Sequence, residues 1–148
     1  MDLDDLIELE AIRRLKYRYM RCVDLKLFDE LAACFSEDAT VSYNDGQWAR
    51  SGRDAIVELL RGGLGPEVLS SHTVHHPEID LTSATTATGI WALQDHVFNR
   101  RHGTHLHGAA FYADEYVKVD GRWLISHTAY TRTFEHRTGV EPRWDGGS

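Results

Sequence analysis

The chain has 148 residues, a formal net charge of −7, 42% hydrophobic and 26% charged residues, the profile of one folded domain with a sizeable core rather than of a disordered segment. An acidic chain is a poor partner for nucleic acid, whose phosphates call for a basic surface. No apolar run approaches the roughly 20 residues of a membrane span, the opening Met1-Asp-Leu-Asp-Asp5 lacks the basic and apolar regions of a signal peptide, and two cysteines, Cys22 and Cys34, make no disulfide framework, so a cytoplasmic protein with reduced thiols is expected.

Residues 3–24 read as one amphipathic helix. Leu6, Leu9, Ile12, Leu15, Tyr19 and Val23 recur at spacings of three and four, and Asp2, Asp4 and Asp5 suit the positive end of its dipole. Leu27 to Phe35 reads as a second, short helix, which places both cysteines in helices. A strand from Thr40 to Tyr43, the turn signal Asn44-Asp45-Gly46 and a returning strand from Gln47 to Ser51 follow. Gly52 breaks that strand, and Arg53 to Arg61 reads as a third helix. After the glycine-rich stretch 62–66 the pattern turns to β: Leu69–Leu81, Thr86–Asn99, Thr104–Val119 and, beyond the hairpin turn Asp120-Gly121, Arg122–Phe134. Residues 135–148 read as a polar, partly loose tail. Helices first and an antiparallel meander afterwards imply an α+β fold in a single domain over residues 1–134. The expected shape is a cone-shaped α+β barrel, three N-terminal helices packed on a strongly curved, mainly antiparallel sheet with an apolar pocket.

Four polar residues stand out in this frame. Asp24 ends the first helix, where the dipole disfavours a carboxylate, so a hydrogen-bonding or cationic partner is expected; without one it is a solvated loop aspartate. His72 lies among small and apolar residues and has the side chain best poised for proton abstraction near neutral pH; the alternative is a structural strand histidine. Asp95 interrupts the run Trp91-Ala-Leu-Gln-Asp95-His-Val97 and shares a strand face with Leu93 and Val97, where a carboxylate needs a partner; a bulge turning it to solvent is the alternative. Tyr19 lies on the apolar stripe of the first helix, as a core residue or as a hydroxyl for a substrate. Even spacing puts His72 and His76 on one strand face and His75 on the other. His105 and His107 share a face, but no further ligand spacing and no HExxH motif points to a metal. Nucleotide-binding glycine motifs, a GxSxG elbow and a cysteine nucleophile are absent from the sequence.

Together these residues resemble the SnoaL-like branch of the nuclear transport factor two-like superfamily. The resemblance spans residues 3–134 and rests on Tyr19-Met-Arg-Cys-Val-Asp24, Phe35-Ser-Glu-Asp38-Ala-Thr and the closing hairpin Tyr112-Ala-Asp-Glu-Tyr116-Val-Lys-Val-Asp-Gly121-Arg-Trp123. It is sharpest toward the lyases of that branch: scytalone dehydratase, hexachlorocyclohexane dehydrochlorinase and bile-acid 7α-dehydratase. Those lyases use an Asp–His dyad at positions that match Asp24 and His72, and the last adds groups matching Tyr19 and Asp95. The intervals are five from Tyr19 to Asp24, 48 to His72 and 23 to Asp95. These lyases also place a polar residue late in the last strand; Arg132 or His127 would serve.

The resemblance implies a lyase without cofactor or metal, most simply a dehydratase, acting on a small-to-medium apolar substrate that carries a carbonyl. Asp24, His72, Tyr19 and Asp95 would carry the chemistry, with Asp95 donating a proton if burial raises its pKa. Tyr43, Trp48, Leu93, Val97, Tyr112 and Arg132 are the candidates for binding substrate. A ketosteroid-type isomerase, a polyketide cyclase and a non-catalytic binding module are the alternatives. Relatives of this shape pair through the outer sheet face, here His105, His107, Phe111 and Val117, so a homodimer or homotrimer is expected, with no nucleic-acid or membrane partner.

Overall fold

The structure is a computed structural model and describes residues 1–139. Helix α1 (Leu3–Leu25) begins at a capping box: the Asp5 amide donates to the Asp2 carboxylate and the Asp2 amide to that of Asp5. Its buried residues, Leu9, Ile12, Leu15, Lys16, Tyr19, Met20, Cys22 and Val23, form the helical stripe that the spacing predicts, except that Leu6, in the first turn, is exposed. The helix stops where Lys26 turns left-handed (φ 57°). The Lys26 ammonium then donates to the carbonyls of Gly65, at 3.0 Å, and Val68. That tie fastens the last turn of α1, and Asp24 with it, to the start of a strand.

Helices α2 (Phe28–Ala32) and α3 (Arg53–Gly63) and strands β1 (Phe35–Tyr43), β2 (Trp48–Ser51), β3 (Val68–Leu81), β4 (Thr86–Asn99), β5 (Thr104–Val119) and β6 (Arg122–Gly139) complete the fold. The six strands form one sheet in the order β2-β1-β6-β5-β4-β3. Every pairing is antiparallel except β1 with β6. Among the described residues the sheet does not close, so β2 and β3 are its edges. Register shifts in β3–β4, β5–β6 and β1–β6 bend these long strands, as bulges do, and wrap the sheet around α1. Trp91, Tyr19, Tyr116, Phe35, Ile12 and Leu31 are the bulk of the fully buried core between them. Among the described residues no helix is long and apolar enough to cross a membrane.

Three local expectations need correction. Helix α2 is shorter than the span 27–35, so Cys34 lies in the turn before β1; both cysteines are buried and unpaired. Strand β6 continues past Phe134 through Glu135–Gly139, paired with the first half of β5. Polar, exposed side chains hide a strand that backbone hydrogen bonds hold; the rest of the expected tail, 140–148, lies outside the described residues. The bulge between His75 and Glu78, with His76 at φ +30°, breaks the alternation, so His76 is exposed rather than on the inward face with His72.

The outer sheet face carries His105, His107 and an exposed Phe111. His96 joins them: its ring stacks on His107 with centroids 4.3 Å apart and its Nδ1 lies 2.9 Å from His105 Nε2. Stacked rings do not converge on a point, and among the described residues no group of three or more potential ligands is arranged to hold a metal ion.

Candidate active site

A cavity of about 1090 Å³ opens between α1, α3 and the concave face of the sheet. That is the upper end of the size common for small-molecule sites. Tyr19 and Val23 of α1, Leu59 and Leu60 of α3, His72, Val97, Leu106 and Tyr130 contribute to its wall. Of the residues expected to bind substrate, Tyr43, Trp48, Val97, Tyr112 and Arg132 line it. Leu93 does not. It shares a strand face with Asp95 but, two residues nearer the start of β4, packs into the core at 2% exposure.

Asp24 and His72 meet at one end of the cavity. His72 Nδ1 is 2.7 Å from Asp24 Oδ1, and the His72 backbone N–H donates to Asp24 Oδ2 at 2.8 Å. Ser70 Oγ donates to Asp24 Oδ1 at 2.9 Å. Three donors from β3 thus hold the carboxylate and offset its position at the negative end of α1. An Asp24 carboxylate can only accept, so His72 Nδ1 carries a hydrogen, and in the neutral imidazole Nε2 is the nitrogen with the free lone pair. His72 lines the cavity; Asp24 stands behind it.

Asp95 is directly opposite His72 in the β3–β4 ladder and is buried. Its Oδ2 lies 3.9 Å from His72 Nε2, too far for a hydrogen bond but close enough to stabilise a charged imidazole. Arg132 holds both carboxylate oxygens, at 2.8 and 2.7 Å, the bidentate geometry that arginine favours. Burial alone would raise the Asp95 carboxyl, but the Arg132 hydrogen bonds and charge outweigh it and hold the carboxyl below its usual range. Asp95 is therefore an ionised carboxylate near neutral pH and not a proton donor.

Arg132 starts on β6 and reaches Asp95 on β4 across β5. Gly108, the β5 residue opposite Asp95, makes the crossing possible: a Cβ there would collide with the Arg132 guanidinium. His127, the other late-strand candidate, is not in the cavity wall; its Nδ1 lies 2.6 Å from Thr40 Oγ1.

Another part of the cavity wall is aromatic. The Tyr19 and Tyr43 hydroxyls are 2.6 Å apart and buried. Tyr43 stacks on Tyr130, and Tyr112 meets both Tyr19 and Tyr130 edge-on. Burial raises the Tyr19, Tyr43 and Tyr112 phenols above their usual value, so all three remain neutral O–H groups. Sequence reasoning missed Ser70, Gly108 and Tyr130; only the strand register shows what they face.

A family model described as a SnoaL-like domain matches residues 4–129. A scytalone dehydratase-like protein from Novosphingobium aromaticivorans is 30% identical over 94% of this chain and 91% of its own, with a TM-score of 0.82. Two hexachlorocyclohexane dehydrochlorinases share the fold at lower identity. LinA type 2 is 23% identical over 99% of both chains at a TM-score of 0.87. LinA type 3 from Novosphingobium barchaimii is 22% identical, over 98% of this chain and 100% of its own, at 0.86. With its long capped first helix, its open curved sheet and the match over residues 4–129, the chain belongs to the SnoaL-like domain family.

Proposed function

We propose that the protein is a cofactor-independent lyase that removes water from a small-to-medium apolar substrate bearing a hydroxyl β to a carbonyl. The observation that carries this reading is the Asp24–His72 pair, with the imidazole lining a cavity walled in part by aromatic side chains. His72 Nε2 takes the proton from the carbon beside the carbonyl, and its electrons move onto the carbonyl oxygen as an enolate. Asp24 fixes the tautomer and, with Asp95 across the ladder, stabilises the imidazolium. The enolate then collapses, a C=C bond forms, the C–O bond breaks, and the imidazolium passes its proton to the departing hydroxyl as water. One imidazole serves both steps, so hydrogen and hydroxyl leave from the same face.

The enolate needs a donor, and the Tyr19–Tyr43 pair supplies one. Whichever hydroxyl donates to the other, one O–H remains for the carbonyl oxygen. Tyr19→Phe/Tyr43→Phe is expected to lower kcat by about 10²–10³-fold, as loss of the oxyanion donor does, and each single variant by a smaller factor, because the remaining hydroxyl still has an O–H to donate. Turnover at the native rate in the double variant would remove the pair from the mechanism.

The reading is tested by incubating the protein with alicyclic β-hydroxy ketones and thioesters and weighing the products. A product lighter by one water supports it. A product of unchanged mass points to the isomerase, and binding without turnover, unaffected by His72→Gln, to the binding module. The outer face of stacked histidines and exposed Phe111 supports a homodimer or homotrimer. Light scattering at micromolar concentration should give two or three times the 16.8 kDa chain mass; a monomer would count against it.

A further inference from the structure

A buried cation lies beneath the tyrosine wall. Lys16, on the core face of α1 one turn before Tyr19, is fully buried. Its Nζ is 2.7 Å from Asp114 Oδ2, 3.5 Å from the centre of the Tyr112 ring and 4.8 Å from that of Tyr19. Burial pushes the amine below its usual value, and Asp114 opposes that shift.

A structural ion pair between α1 and β5 accounts for half of this arrangement. Asp114 is well satisfied: Tyr116 donates to Oδ2 at 2.7 Å and Thr128 to Oδ1 at 2.6 Å. A carboxylate that accepts these donors deep in the core calls for a cation. The ammonium is served less well. It makes no aligned hydrogen bond, and among the described residues Lys16 Nζ is the one buried side-chain polar atom without such a partner. Beside the Asp114 carboxylate it has the faces of two rings.

The pair is also directional. Asp114, Tyr116 and Thr128 are not in the cavity wall, whereas Tyr19 and Tyr112 are. The negative end is damped by two hydroxyls away from the cavity, and the positive end is pressed against its wall. The Tyr112 hydroxyl makes no hydrogen bond with any described residue, and Tyr112 lines the cavity. It is a free donor in the same wall.

We infer that Lys16 is a positioning residue that makes this wall select an anionic oxygen, and that the Tyr112 hydroxyl donates to that oxygen beside the Tyr19–Tyr43 pair. The inference rests on the lyase reading in that the anion would be the enolate. It extends that reading with a residue that never touches substrate and a donor the mechanism above does not use.

The test uses 2-naphthol, whose neutral and anionic forms absorb differently, as a stand-in for the enolate. Lys16→Met alone would strand the Asp114 carboxylate, so the comparison is Lys16→Met/Asp114→Asn, which removes both charges and keeps the bulk. Bound to the native protein, the naphthol should ionise at a pH about one unit lower than in that double variant, a tenfold change in its ionisation constant. Tyr112→Phe, which deletes an unbonded hydroxyl and keeps the ring over the ammonium, should weaken naphtholate binding several-fold. With substrate, both variants should lose kcat and leave KM nearly unchanged. Equal ionisation midpoints in the native protein and the folded double variant would overturn the inference, as would failure of the native protein to bind naphthol. Should the double variant not fold, Tyr112→Phe decides, and unchanged naphtholate binding overturns it. No turnover enters the naphthol measurement. A protein that prefers naphtholate but never eliminates water refutes the lyase and keeps the anion-selective wall; His72-dependent elimination without that preference does the reverse.

Discussion

His72→Ala is expected to lower kcat by about 10³-fold or more, because it removes the group that both takes and returns the proton, and each such role is worth about 10²–10⁴-fold. Asp24→Asn should cost nearly as much. Asn keeps the shape but loses the charge, and it offers one acceptor oxygen where three donors now converge on two. The asparagine amide would face either the imidazole N–H or the Ser70 hydroxyl and would favour the wrong tautomer of His72. KM should change little in Asp24→Asn, since Asp24 is not in the cavity wall. The double variant should be little slower than either single one, because the two residues act as a unit. Steady-state kinetics of the three variants checks this. Native turnover in folded His72→Ala would end the lyase reading whatever else binds in the cavity.

Sequence exposed part of this site and concealed the rest for a physical reason. Asp24 and His72 are legible as an odd carboxylate at a helix end and a histidine in an apolar run. Asp95 is legible as a carboxylate on an inward strand face. These are statements about one residue and its own element, where periodicity speaks. What joins them depends on register between strands distant in sequence. Asp95 faces His72 because the β3–β4 ladder aligns them, and the bulge at His75 that spoils the alternation for His76 comes only after that point. Nothing in β6 announces that Arg132 crosses β5, or that Gly108 clears its path. The parallel pairing of β1 with β6 brings strands from opposite ends of the chain together and is likewise silent in local pattern. The condition on which Asp95 would donate a proton, that burial raise its carboxyl, is not met for this reason: its burial is legible in the sequence, and its pairing with Arg132 is not.

Arg132→Leu measures that reversal directly. It leaves Asp95, at 2% exposure, without its cation, and breaking a buried pair from one side costs about 3–5 kcal/mol. The pH dependence gives a sharper signature than the loss itself. In the native protein the Asp95 carboxyl is held below its usual range, so the stabilisation is fully present above the unfolded-state value and disappears as pH falls through the folded-state value. In Arg132→Leu the opposing cation is gone and burial raises the carboxyl instead. The variant is then penalised where Asp95 must be charged and relieved where it is protonated. The stability gap between native protein and variant should therefore be widest near neutral pH and narrow on acidification, as urea unfolding across the range from pH 7 to about pH 4 can show. Asp95→Leu/Arg132→Leu should recover most of the lost stability, since an apolar pair replaces an ionic one at similar volume. Turnover should stay low, because the imidazolium of His72 has lost the carboxylate across the ladder. A gap that does not change with pH would mean that Arg132 serves as packing rather than as the charge that keeps Asp95 ionised beside His72.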